Sequence, residues 1–152
     1  MKVDRTVAHD LLAEYGALID MAKFDEWLDL FAEECRYQIL PRENFDRGLP
    51  AALVLCDSRA MLEDRIRALR EANKYNIHND RHVIGLPRIL DEGLALEAPF
   101  AVYQTDQEGE TRLFATGLYR DRLKISGPRL RISDKLVLLD TFAIPSLLST
   151  PL

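Results

Sequence analysis

Apolar residues recur every three or four positions along the first third of the chain and every second position beyond Tyr75, which predicts helices first and strands afterwards. Between Asp4 and Ala22 they fall at Ala8, Leu11, Leu12, Tyr15, Leu18, Ile19 and Ala22, a broad stripe on one helical face. "FDEWLDLFAEE" repeats the spacing with Phe24, Trp27, Leu28 and Phe31, and Glu33 and Glu34 then form a solvated face at the end of this second helix. "CRYQIL" (35–40) alternates as a half-buried strand does, and "PRENFDRGLP" (41–50) reads as a loop. After the short apolar run "AALVLCD" comes a third helix, with Asp57 and Ser58 as cap candidates and Leu62, Ile66 and Leu69 as its buried face. Glu63 and Arg67 stand four apart in the favourable order, and Arg67, Arg70 and Lys74 suit the negative end of the helix dipole.

Four long strands are predicted next, in "RHVIGLPRIL", "LALEAPFAVYQT", "TRLFATGLYRDRLKI" and "LRISDKLVLLDTF". "DQEGE" (106–110) and "SGP" (126–128) supply turns. Gly85, Pro87, Pro99 and Gly117 interrupt the strand patterns and mark bulges, edges or bends, so the sheet is expected to curve strongly. Three helices followed by consecutive antiparallel strands describe an α+β domain, with the helices on the concave side of one bent sheet: a cone.

A chain of 152 residues fits one domain, and 47% apolar with 30% charged residues is the balance of a globular protein. A net charge of −5, without a basic face, argues against a nucleic-acid binder. The N-terminal stretch, acidic at position 4, does not read as a signal peptide, and no run approaches the length of a membrane span. Cys35 and Cys56 have no CxxC spacing and read as reduced, buried thiols of a cytoplasmic protein.

"HNDRH" (78–82) holds two histidines and a carboxylate, the ligand types of a non-haem iron site. On a strand, however, positions four apart lie roughly 13 Å from each other. Only a tight loop at 76–80 would bring both rings to one ion. The expected account places His82 in the cone or at a subunit contact, and His78 on a loop. No GxSxG, GxGxxG or P-loop pattern is present, and Ser58 sits where a cap is wanted. Tyr15, ahead of "ALIDMAKFDEWLDLFAEEC", resembles the opening of cone enzymes of the ketosteroid isomerase and scytalone dehydratase type, where a tyrosine donates to an oxyanion. Those isomerases carry a general-base aspartate soon after the first strand, where this chain has "ILPREN".

The ordered set "EWLDLFAEECRYQILPREN", "DSRAMLEDRIRALREANKY" and "RHVIGLPRI" resembles the small, or beta, subunits of bacterial aromatic-ring-hydroxylating dioxygenases. The likeness runs from about Tyr15 to Asp140. "DRI-ALREAN-Y" with "RH-x-x-GLP" is similar to terephthalate dioxygenase small subunits, and "QxPRENFxxGLP" to those of salicylate hydroxylases. The resemblance implies an NTF2-like (cystatin-like) cone in an assembly of three large and three small subunits, and self-association as a trimer. The Rieske [2Fe–2S] cluster and mononuclear Fe(II) would then belong to the alpha subunit. This chain has two cysteines and no Cys-x-His or Cys-x-x-His pair of the kind a Rieske centre needs. It implies no catalytic, cofactor or metal residue here, leaving Tyr15 and His82 as candidates for the cone pocket. Arg120, Arg122, Asp134 and Lys135, charges within apolar strands, are read as subunit contacts. The apolar tail (143–152), with Leu147, Leu148 and Leu152, is expected to dock on the domain or a neighbour. The competing classes are a free-standing cone isomerase or dehydratase and a small-molecule binding module.

Overall fold

The structure is a computed structural model that describes residues 3–72, 77–140 and 150–152. Helix α1 (Arg5–Asp20) starts at Asp4, whose Oδ1 accepts from the backbone N–H of Thr6 and Val7 at 2.9 and 3.1 Å. This satisfies donors left over at a helix start. The predicted stripe is buried from Ala8 to Ile19. Ala22 is not part of it: the helix has ended, and Ala22 is exposed with φ +56°.

The second helix is shorter than its pattern suggests. Helix α2 covers Phe24–Leu28, and Phe31 already opens strand β1 (Phe31–Pro41). Glu33 and Glu34 are therefore exposed strand residues rather than a helix end. One turn of helix, α3 (Arg42–Asp46), lies within the predicted loop, and the short apolar run forms β2 (Val54–Cys56). Helix α4 (Arg59–Ala72) follows Ser58, whose Oγ accepts from Met61 N–H at 3.2 Å. Leu62, Ile66 and Leu69 are buried as predicted. The expected Glu63–Arg67 pair is not made: Glu63 pairs with Arg59 at 3.2 Å, and Arg67 with Asp64 at 3.0 Å. Lys74 lies outside the described residues.

The first of the four long strands is split at 85–87 into β3 (Asn79–Ile84) and β4 (Arg88–Leu90). Strands β5 (Ala95–Thr105), β6 (Thr111–Ser126) and β7 (Arg129–Leu139) follow. The described strands make one seven-stranded sheet in the order β2-β1-β7-β6-β5-β3, with β4 also on β5. All pairs are antiparallel except β1 with β7. Register shifts fall between Phe31 and Arg36, Val102 and Tyr103, and Arg122 and Leu123, where they bend the sheet. Gly117 contributes differently: a Cβ there would lie 1.9 Å from the Leu138 carbonyl oxygen. Gly16 lets α1 settle on β3, since a Cβ would already touch His82 and Ile84 at 3.1 Å. Helices α1 and α4 thus cover the inner face through β3 and β1. Between helices and sheet lies one core, in which Tyr15, Trp27, Phe31, Tyr37 and Tyr119 are buried together.

Candidate functional site

Strand parity selects what enters the cone. Register pairs Asp121 of β6 with Lys135 of β7, and both point inward with their apolar neighbours Tyr119, Leu123 and Val137. Lys135 Nζ donates to Asp121 Oδ2 at 3.0 Å, and neither side chain is exposed. The same ammonium lies 3.9 Å from the Tyr15 ring centroid and 3.6 Å from that of Tyr119, so two aromatic faces share its charge. Burial pushes the Asp121 carboxyl up and the Lys135 ammonium down, and each is pulled back by the other's charge. Lys135 is therefore a core residue, which corrects its reading as a subunit contact. An inward strand position cannot meet a partner across the sheet.

The rings interlock around this pair. Phe100 stacks on Tyr119 at 4.2 Å, and Tyr15 sits edge-on to Tyr119 at 5.6 Å. The hydroxyls of Tyr15 and Tyr37 both donate to the main-chain oxygen of Leu152, and the Leu152 N–H donates to Tyr37 Oη at 3.0 Å. Leu152 itself is buried. Burial raises all three tyrosines, so their hydroxyls remain protonated donors at neutral pH. A donor pair thus exists where the sequence points to one at Tyr15, but it is filled by the chain, and the Asp121 carboxylate beside it is held by Lys135.

The His82 side chain is also buried, against Gly16 of α1. Its backbone N–H donates to Asp20 Oδ2 at 2.9 Å and its ring Nδ1–H to Asp20 Oδ1 at 2.7 Å. Asp20 thereby caps an outward N–H of the edge strand β3. A groove between α1 and β3, lined by His9, Ala13, Gly16, Asp20 and His82, runs alongside. His78, just before β3, has a mostly buried side chain 3.4 Å from Asp80. It lies on the loop expected and is partnered there. The two rings are engaged by different carboxylates, and no group of three or more His, Cys, Asp or Glu suited to a metal occurs among the described residues. Cys35 and Cys56 are free and buried, and burial raises both thiols.

Arg120 and Arg122 lie on the outer face. A single register line crosses it as Leu55, Gln38, Leu136, Arg120, Glu97 and Arg88. Glu97 is gripped from both sides, by Arg88 at 2.7 Å and Arg120 at 2.9 Å. The hydrogen bond from Arg88 is the main reason its carboxyl is held below the ordinary value. Arg120 also covers the Phe45 ring at 5.7 Å, while Arg122 approaches Asp91 at 3.8 Å. Asp134 is half-buried on this face. Leu147 and Leu148 lie outside the described residues.

Sequence reasoning missed Asp121, Tyr37, Tyr119 and Asp20. A signal for the first was present: in "LYRDRL", Asp121 shares parity with Tyr119 and Leu123.

Comparison with known proteins agrees with this geometry. The chain is 38% identical over 144 residues to the beta 2 subunit of the terminal oxygenase component of terephthalate 1,2-dioxygenase from Comamonas sp, covering 92% of this chain and 93% of that one. It is 36% identical to the anthranilate 1,2-dioxygenase small subunit from Burkholderia cepacia, covering 91% and 88%. Among solved structures, the beta subunit of a provisionally assigned aromatic-ring-hydroxylating dioxygenase from Novosphingobium aromaticivorans superposes with a TM-score of 0.87. Its identity is 42%, and the match covers 97% of this chain and 96% of that one. The expected NTF2-like α+β cone is therefore the fold. The family described as "Ring hydroxylating beta subunit" matches residues 16–146. With most of its length accounted for, the chain belongs to the ring-hydroxylating beta subunit family.

Proposed function

We propose that this chain is a non-catalytic structural subunit of an aromatic-ring-hydroxylating dioxygenase, assembled as three alpha and three beta subunits in the cytoplasm. The alpha subunit carries the Rieske [2Fe–2S] cluster and the mononuclear Fe(II), and the substrate is an aromatic carboxylate of the terephthalate or anthranilate type named for the relatives. The residues of this chain support that division of labour. Among the described residues, the buried phenols stay protonated and the buried Asp121 carboxylate is paired with Lys135, which supports a role without proton transfer at this pair.

The observation that carries the reading is the outer row. Interlocked Arg88, Glu97 and Arg120 flanked by Leu136 and Leu55 form a face of fixed charges among apolar side chains, suited to setting register against another subunit. Arg122 extends it, paired with Asp91.

Co-expression tests the role. With its alpha subunit the chain should purify as a complex containing equal numbers of each. Removing it should leave the alpha subunit poorly soluble and weakly active. Full activity from an equally stable alpha subunit alone would remove the proposal. Replacing His78 and His82 together by alanine should leave the iron content of the complex unchanged.

A further inference from the structure

Two phenol hydroxyls converge on one backbone oxygen deep in the cone, a geometry built to receive a carbonyl or carboxylate. Tyr15 comes from α1 and Tyr37 from β1, far apart in sequence, and both donate to Leu152. Tyr37 Oη also accepts the Leu152 N–H, so the pair reads both polar ends of one residue. The leucine side chain enters the apolar core and is only 1% exposed. Around Tyr15 the wall is polar as well as aromatic. Tyr119 Oη, Trp27 Nε1 and Asp121 Oδ1 are buried with no hydrogen-bond partner among the described residues, and Lys135 lies over the rings of Tyr15 and Tyr119. Buried polar atoms without partners are uncommon in a core shaped only by packing.

We infer that the interior of the cone is a binding site for a branched aliphatic acyl-amino acid or carboxylate, and that Leu152 occupies it as an intrachain ligand. The site selects by chemistry already in place. Two neutral donors meet one oxygen, one acceptor meets an amide N–H, and an apolar wall takes an isobutyl group. The occupied state closes the cone to small molecules, so a fold with a polar interior works as a solid body. This goes beyond the subunit role and does not depend on it.

The test is a chain cut after Thr150, probed with N-acetyl-leucine and with N-acetyl-leucinamide. The cut chain should bind N-acetyl-leucine at millimolar concentration or better by calorimetry, with a raised melting temperature, while the full chain binds neither probe. Equal binding of the amide would assign the oxygen site to a neutral carbonyl, and preference for the acid would assign it to a carboxylate. In the cut chain, Tyr15→Phe should weaken binding by about tenfold, the loss expected for one buried hydrogen bond, and Tyr37→Phe by more, since it removes two. If the cut chain does not fold, added N-acetyl-leucine should restore its near-ultraviolet circular dichroism. A folded cut chain that binds neither probe overturns the inference. So does an unfolded one that neither probe rescues, binding indifferent to both tyrosines, or equal binding by the full chain.

Discussion

Lys135 and Asp121 hold opposite charges where neither meets solvent, so each depends on the other. Removing one leaves an unpaired buried charge, a far larger loss than the net worth of the pair. Lys135→Met should destabilise the chain by about 3–5 kcal/mol. Adding Asp121→Leu should return much of that, measured by urea unfolding of both variants. Glu97 behaves in the opposite sense on the outer face. Its carboxyl is held below its ordinary value of 4.5, so the folded state binds this proton less readily than the unfolded chain. Its contribution to stability is complete above 4.5 and disappears as pH falls through the lowered value. Glu97→Gln should flatten that acid limb of the stability profile and leave the limb above neutrality unchanged, as checked by unfolding across a pH series.

At the scale of elements, close backbone approach is the tightest constraint. Gly117 faces the Leu138 carbonyl with no room for a methyl group, so Gly117→Ala must push β6 and β7 apart. The expected loss is about 2–3 kcal/mol, near the upper end for overpacking, read from the shift in denaturation midpoint. Much of the element order was legible because its causes are local. The stripe of α1, the Ser58 start of α4 and the turns at 106–110 and 126–128 all lie in short windows. The start of β1 was not legible. Phe24, Trp27, Leu28 and Phe31 fit a helical face, but Phe31 pairs with Ile132, a hundred residues away, and that partner makes it a strand. Within the site, Tyr15 was visible on its stripe. Lys135 was misjudged because its charge outweighed its parity; Leu152 was expected to dock and is buried in the core, but its place against Tyr15 and Tyr37 was not legible because a tail has no period to read.

For the whole molecule, the two faces of the sheet divide the work: the inner face is covered by helices and Leu152, and the outer face keeps its charges and apolar side chains accessible. Purified alone, the chain should therefore self-associate, as a trimer by light scattering at micromolar concentration. Arg120→Glu should weaken that association and the binding of the alpha subunit together. The substitution breaks the clamp on Glu97 and sets two like charges opposite each other. A stable monomer from the unaltered chain would contradict this division of faces.

The parallel pairing of β1 with β7 also sets a clock. Strand β1 is made well before its neighbour across the sheet, the last of the described strands, and β2 on the other side is only three residues long. Until residue 139 has left the ribosome, one edge of β1 stays open. The long loop between the two must close before their contacts can form, which slows folding and lengthens the time that apolar strand surface is exposed. A nascent chain of this kind is most vulnerable to aggregation just before β7 emerges, so the supply of folded subunits depends on how quickly the ribosome delivers that strand.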